Sequence, residues 1–174
     1  MTAMDTIEAI LTRRSVRRYG ERQVERPLVE KVLEAGAWAP TGHGSQDPFI
    51  VAVQDAADCA AVRRLNAEAM GADGDPYYAA PTIVVVFAPA GAANAVKDAS
   101  LVLGNMMLAA HSLGLASCWI NRCEAVFSTG EGKALMEKWG LPGGLEGIGS
   151  LALGYPAGPP RDPKPRKEGY WRVV

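Results

Sequence analysis

Residues 101–120 constrain the fold most strongly. This stretch is apolar over about the length that spans a bilayer, but it carries Asn105, His111 and Ser112, and Gly114 interrupts it near its end. We interpret it as a buried helix that stops at Gly114 and is followed by a short strand. A helix that is apolar nearly all round must be covered on every side. In a chain of 174 residues, this indicates a partner subunit.

Short apolar strands alternate with helices along the chain. Strands are predicted over residues 49–53, 82–88, 115–120 and 147–154. Helices are predicted over residues 5–11, 27–36, 55–70, 94–113 and 124–139, the last broken near Gly130 and Gly132. In the first helix Ile7, Ile10 and Leu11 form the apolar stripe. The alternation predicts one domain, residues 1–174, with a helix-wrapped sheet. Residues 155–174, rich in proline and basic residues, are predicted to form an extended tail.

Composition excludes several classes of protein. A net charge of −1 argues against a nucleic-acid-binding protein, which would need a dominant basic face. The three cysteines, Cys59, Cys118 and Cys123, lack the paired spacing of a disulfide framework or a zinc site. That usage fits a reducing cytoplasm, and the first residues lack the basic and apolar blocks of a signal peptide. We expect a cytoplasmic protein that binds neither membrane nor nucleic acid.

The common catalytic motifs are missing from the sequence. It contains no phosphate-binding P-loop, no GxSxG nucleophile elbow, no HExxH helix and no GxGxxG after a strand. The two histidines are His43, in a Gly-rich loop, and His111, which we expect to be a hydrogen-bonded core residue. Cys118 belongs to an apolar strand and is interpreted as a small core residue. A hydrolase triad or a metal site is therefore not expected.

Four arginines, Arg13, Arg14, Arg17 and Arg18, surround Ser15. In an extended segment alternate side chains share one side, so Arg13, Ser15 and Arg17 would face together and could hold an anion. Guanidinium forks match phosphate and carboxylate oxygens. An arginine run can also be simply a solvated face, and these residues alone leave both readings open. Arg18, on the other side, should matter least.

Five motifs occur in a fixed order. They are Arg-Arg-Ser-x-Arg-x-Tyr at 13–19, Ala-x-Ala-Pro-Thr-Gly-x-x-Ser-Gln-x-Pro-Phe at 37–49, Asn-Met-Met-Leu-Ala-Ala at 105–110, Leu-Gly-Leu-Ala-Ser-Cys-Trp-Ile-Asn at 113–121, and Leu-Gly-Tyr-Pro at 153–156 before the basic tail. Each motif is weak alone, but the ordered set closely resembles the nitroreductase family of FMN-dependent flavoproteins. The resemblance covers nearly the whole chain.

The resemblance implies an α+β fold with a central, mostly antiparallel sheet wrapped by helices. It also implies a homodimer with two FMN sites at the subunit interface. The implied activity passes hydride from NAD(P)H through flavin N5 to a nitroaromatic, a quinone or a similar acceptor. In that chemistry the flavin reacts, and no protein side chain acts as acid, base or nucleophile. Alternatives on the same fold are reductive dehalogenation, flavin fragmentation, or a non-enzymatic flavin-binding redox sensor.

The resemblance also assigns the two cationic segments. It implies that Arg13, Arg14 and Ser15 hold the phosphate and ribityl end of FMN. The tail residues Lys164 and Arg166 match a late basic pair that closes on the phosphate. Arg17 would lie near the pyrimidine edge of the flavin, where a fixed cation stabilises the negative charge of the reduced ring. Alternatively, Lys164 and Arg166 belong to a solvated tail.

The resemblance implies two further segments around the flavin ring. The loop that the second subunit lends is matched by Pro40, Thr41, Gly42 and Gln46. The stretch that passes the ring in the first subunit is matched by Trp119, Ile120 and Asn121. Trp119 could equally be a core aromatic residue, and Gln46 could only cap a turn.

The sequence departs from the family pattern in the loop and in length. Gly44 stands where family members often carry Asn, and Asp47 is an extra residue before Pro48. The chain also lacks the long mid-chain excursion that helps to cover the flavin in larger members. We therefore expect a more open site, or one covered by residues 71–78.

Overall fold

The computed structural model describes residues 4–71 and 73–174. Along the chain, the helices and strands have the following bounds: α1 Thr6–Thr12, α2 Arg26–Ala37, β1 Phe49–Val53, α3 Ala56–Met70, β2 Thr82–Pro89, α4 Ala95–Ser112, β3 Ala116–Ile120, α5 Cys123–Ser128, α6 Gly130–Lys138 and β4 Leu145–Gly154. A short 3₁₀ turn, Gly42–Gly44, lies between α2 and β1.

The four strands form one sheet in the order β1-β2-β4-β3, and every neighbouring pair is antiparallel. Strand β2 pairs with β1 from Phe49 opposite Phe87 to Val53 opposite Ile83. Helices cover both faces of this sheet, so the predicted α+β class with an antiparallel sheet is confirmed. Strand β3 lies at one edge of the sheet.

Both faces of the sheet are buried, and this divides the core into two clusters. On one face Ile83, Val85 and Phe87 pack with residues of α3, α5 and α6. On the other face Val84 and Val86 pack with residues of α2 and α4. The continuous apolar run of β2 is what a strand covered on both sides requires.

Helix α4 packs closely against α2 and the sheet. At Gly36 of α2, an added Cβ would lie 2.7 Å from Met106 Cγ, so only glycine allows this approach. Asn105 Nδ2 donates to the Ala35 carbonyl oxygen at 3.1 Å across the same contact. Leu101 nevertheless remains 48% exposed. Among the described helices, none is both long and apolar enough to cross a membrane.

One predicted apolar stripe does not pack as expected. Ile7, Ile10 and Leu11 of α1 are exposed, at 61%, 51% and 66%, and Ala9 is the residue that α1 buries. The pattern correctly located an amphipathic helix but not its packing partner, because α1 lies against α4 through a small residue. Within one chain, this stripe faces outward.

The remaining element predictions differ from the structure by small amounts. Asp5 and Asp55 cap α1 and α3 through their side chains. The predicted break in the last helical region lies at Thr129, whose hydroxyl accepts from Gly132 N at 2.9 Å and begins α6. The break therefore comes one residue before Gly130, because a threonine cap starts a new helix there.

Candidate functional site

The arginine segment is extended and lies along the edge of the sheet. Val16 N donates to the Ser117 carbonyl oxygen at 3.1 Å, and Ala157 N donates to the Arg18 carbonyl oxygen at 3.1 Å. Tyr19 OH donates to carbonyl oxygens of Val16 and Ala152. The segment is thereby fixed between β3 and the start of the tail.

Arg13 begins the arginine segment and is half-buried. Its Nη1 is buried and has no hydrogen-bond partner within residues 4–71 and 73–174. Burial lowers the pKa of this guanidinium, and the neighbouring charge of Arg14 lowers it further. A buried guanidinium nitrogen without an acceptor is costly, although Arg13 as a whole is only half-buried, so this position suits an anion supplied from outside the chain.

The other three arginines have different surroundings. Arg14 Nη1 donates to the carbonyl oxygens of Leu11 and Arg13, at 2.9 and 2.8 Å, and so caps the end of α1. Arg17 is exposed, and its guanidinium carbon lies 6.0 Å from the centre of the Tyr78 ring. Arg18 is exposed as well. Arg14 therefore has a structural task that the sequence did not reveal, while Arg13 and Arg17 remain available.

Arg13, Ser15 and Arg17 each act on the thiol of Cys118 in β3; that their side chains share one side of the segment stays a prediction. Burial raises the pKa of the Cys118 thiol, and Arg17, Ser15 and Arg13 oppose that rise because they lie near the sulfur. Cys118 is 2% exposed, which agrees with its interpretation as a core residue. We refer to Arg13, Ser15 and Arg17 together as the cationic wall.

His111 adjoins the cationic wall, although it lies on α4. Its Nε2 is 2.8 Å from Thr12 Oγ1, and that hydroxyl donates its one proton to the Glu8 carbonyl oxygen at 2.6 Å. The ring nitrogen is therefore the donor to Thr12. The predicted hydrogen bond exists, but the imidazole is only half-buried and lines a cleft of about 270 Å³ with Arg13 and Arg14.

Three site residues were predicted at the end of β3. Two of them, Trp119 and Asn121, reach the protein surface. Trp119 is half-buried against the α2–α4 side of the core, and its Nε1 donates to Asn121 Oδ1 at 2.7 Å. Asn121 is exposed. Ile120 differs, because its side chain is 5% exposed within the core on the other face of the sheet. Ile120 can therefore contribute only its backbone to a surface site.

The loop of residues 40–46 is anchored on the first turn of α4. Gly42 N donates to the buried Asp98 carboxylate at 3.1 Å, and an added Cβ at Gly42 would lie 2.2 Å from Asn94 Nδ2. Gln46 N donates to Thr41 Oγ1 at 3.0 Å. The side chains of Pro40 and Gln46 are exposed. This loop is therefore an ordered element held by α4.

The structure does not bring the loop and the cationic wall together within one chain. The loop contacts Asp98 near the start of α4, whereas Thr12, next to Arg13, contacts His111 near its end. Thirteen residues of helix separate these contacts, or about 20 Å at 1.5 Å per residue. The loop and the residues next to Arg13 therefore contact opposite ends of α4.

The tail pair predicted to close on the anion is exposed. Lys164 and Arg166 belong to residues 161–174, which are exposed throughout and contain no helix or strand. Within the described part of the chain neither residue makes an ion pair. Their role stays a prediction.

Two residues near the end of β3, Asn66 and Arg122, were not identified from the sequence as site residues, and Tyr78 was included only as part of a covering segment. Tyr78 lies beside Arg17, and Asn66 accepts from Arg122 Nε at 3.0 Å. Residues 73–76 and Tyr78 line a cleft together with Trp119 and Asn121; whether this part of the chain covers the site stays a prediction. Elsewhere, across residues 4–71 and 73–174, no group of three potential metal ligands occurs.

Comparisons with known proteins agree with this architecture. A provisionally named NADH dehydrogenase/NAD(P)H nitroreductase of Archaeoglobus fulgidus is 31% identical over 157 residues, which are 87% of this chain and 86% of that protein. A protein of the same name from Methanothermobacter thermautotrophicus is 27% identical, over 90% of this chain and 80% of its own length.

A solved structure is similar over the whole chain. The nitroreductase with bound FMN from Bacteroides fragilis is 32% identical, with a TM-score of 0.87 over 98% of this chain and 99% of that one. The sequence model of the Nitroreductase family matches residues 10–155. The ordered motifs, the antiparallel sheet and these matches agree, and the chain belongs to the nitroreductase family.

Proposed function

We propose that this protein is an FMN-dependent oxidoreductase that takes electrons from NAD(P)H and passes them to nitroaromatic or quinone acceptors. The observation that carries the proposal is the buried Arg13 Nη1 without an acceptor. A guanidinium nitrogen that the fold buries without an acceptor, at a desolvation cost, fits a permanently anionic cofactor. The FMN-bound relative from Bacteroides fragilis supports the choice of cofactor.

The residues of the cationic wall would have two roles: binding the FMN phosphate and stabilising negative charge on the flavin ring. Arg13 and Ser15 would bind the phosphate end of FMN, because a guanidinium and a hydroxyl both donate to phosphate oxygens. Arg14 would assist with the donors that its helix cap leaves free. Lys164 and Arg166 would close on the phosphate from the exposed tail. Arg17 would stabilise negative charge at the far edge of the ring.

We further propose that the site forms in a homodimer. The loop and Thr12 contact points on α4 that lie about 20 Å apart along the helix, which supports a site in which Pro40, Thr41, Gly42 and Gln46 come from the second chain. Exposed apolar residues support an interface: Ile7, Ile10 and Leu11 on α1, Leu101 on α4, Trp38, and Tyr170 and Trp171 in the tail. Contiguous exposed apolar surface marks interaction sites.

The protein chain would orient the reactants and exclude water. Bound FMN would supply the chemistry by accepting hydride at N5 and passing on an electron pair. For a nitro acceptor the net reaction consumes NAD(P)H and one proton, breaks one N–O bond, and yields the nitroso product and water. Trp119 and Asn121 would border the ring, and residues 73–78 would limit its exposure.

A visible spectrum of the purified protein tests the proposal. After incubation with FMN and removal of free flavin, the protein should be yellow, and anaerobic NADH or NADPH should bleach the flavin band. Menadione or nitrofurazone should then restore it. A colourless protein would contradict FMN binding, and a yellow protein that neither nicotinamide bleaches would favour the redox-sensor alternative. Consumption of iodotyrosine, or oxygen-dependent loss of the flavin, would favour dehalogenation or fragmentation.

A further inference from the structure

An open cleft of about 370 Å³ lies between the turn at residues 73–78 and the end of β3. The residues that line it include two aromatic residues, Tyr78 and Trp119, and one cationic residue, Arg122. Tyr78 and Arg122 have positive φ angles of 56° and 77°. Residues other than glycine hold that conformation only where their surroundings enforce it, and such residues cluster at functional sites. Two strained turns therefore flank the cleft.

Asn66 fixes the turn at Arg122. It is fully buried on α3, its Nδ2 donates to the Asn121 carbonyl oxygen at 2.9 Å, and its Oδ1 accepts from Arg122 Nε at 3.0 Å. This hydrogen bond uses one of the five guanidinium N–H donors. Within residues 4–71 and 73–174 the guanidinium makes no ion pair. Arg122 is therefore oriented, and donors remain for a ligand.

Asp75 fixes the opposite wall. Its carboxylate accepts from Tyr77 N at 2.8 Å and from Ala79 N at 2.7 Å, and it pairs with Arg63 at 3.3 Å. These contacts hold Tyr78 between two constrained residues. They also occupy the Asp75 carboxylate, so that its charge is not free to neutralise Arg122. Asp73 is the other acidic residue of the cleft, and it is exposed.

We propose that Arg122 is a specificity-determining residue that binds a carboxylate on an aromatic electron acceptor. The acceptor ring would lie between Tyr78 and Trp119, and the guanidinium fork would bind the carboxylate in two parallel hydrogen bonds. Arg17, beside Tyr78, adds positive potential on the same side. The inference rests on the proposed function, because it names the acceptor class for that reaction.

The test compares two acceptors that differ by one charge, 4-nitrobenzoate and 4-nitrobenzamide. In the FMN-loaded enzyme, Arg122→Gln should lower the ratio of kcat/KM for the acid to that for the amide about tenfold, whatever its effect on either alone. The matched control is Arg26→Gln, which removes an equal charge from an exposed arginine paired with Glu30 on α2. The control should leave the ratio unchanged.

A binding measurement separates this inference from the proposed function. Calorimetric titration of the oxidised, FMN-loaded protein with 4-nitrobenzoate should give a dissociation constant about tenfold higher for Arg122→Gln than for wild type. An unchanged acid-to-amide ratio with unchanged 4-nitrobenzoate affinity would overturn the inference. So would a variant that alters only the preference between NADPH and NADH, which would assign Arg122 to the donor. If wild type reduces neither acceptor while menadione or nitrofurazone still reoxidises its flavin, the titration alone decides the role of Arg122. If none of the four compounds reoxidises the flavin, the proposed function fails.

Discussion

Replacing Arg13 with alanine should weaken FMN binding about 100-fold. A hydrogen bond to a charged group contributes about 1.5–3 kcal/mol, and about 2.8 kcal/mol corresponds to a factor of 100 in the dissociation constant. Because Arg13 Nη1 is buried without a partner among the described residues, its full interaction is available to the cofactor. Fluorescence titration of apoprotein with FMN gives the affinity.

The Arg13 variant also has an expected effect on stability, of opposite sign. Without cofactor, Arg13→Ala should be at least as stable as wild type in urea, because it removes a half-buried charge whose buried Nη1 lacks an acceptor. Arg18→Ala is the control, since Arg18 is exposed, and its FMN affinity should stay within about threefold of wild type, the range of an ordinary surface change. Equal affinities of the Arg13 and Arg18 variants would contradict the assignment.

Replacing Arg17 with alanine should slow reduction of the bound flavin by NADH on the order of 10- to 100-fold. Removal of one preorganised group that stabilises developing charge costs about 100- to 1000-fold, and the effect of Arg17 should be smaller because its side chain is exposed. FMN affinity should change far less, since Arg17 is assigned to the ring edge and Arg13 to the phosphate. The rate is measured by stopped flow at saturating FMN.

Arg17→Lys provides the matched comparison. Lysine keeps the positive charge but loses the planar fork, so this variant should recover most of the lost rate. If Arg17→Ala reduces its flavin as fast as wild type, Arg17 does not stabilise the charge that develops on the flavin ring. A parallel loss of FMN affinity and rate would instead assign Arg17 to binding.

Sequence patterns located most of the fold because they depend on local chemistry. The run of β-branched residues in β2 and the cap residues Asp5 and Asp55 act within a few residues of the chain. The exposure of Ile7, Ile10 and Leu11 could not be read in this way, because an apolar stripe does not identify the surface that covers it. The stripe faces outward on a single chain, which agrees with the proposed dimer.

The sequence indicated which types of residue form the site, but it did not indicate what each residue does there. Four arginines around Ser15 indicated an anion site, but the cap that Arg14 makes on α1 depends on how the chain turns after Thr12. The left-handed conformation of Arg122 depends on Asn66, 56 residues earlier in the chain. Contacts over such separations leave no local pattern, and Arg122 was therefore missed.

The central claim is that one chain supplies the cationic wall and the other supplies the loop of residues 40–46. Two variants test it directly: Arg13→Ala, and a loop variant in which Thr41 and Gln46 are both replaced by alanine. Each homodimer should lose FMN-dependent NADH oxidation at limiting FMN. A one-to-one mixture after subunit exchange should recover about a quarter of the wild-type sites, because half the dimers are mixed and each has one intact site. No recovery, or a loop variant as active as wild type, would contradict the shared site.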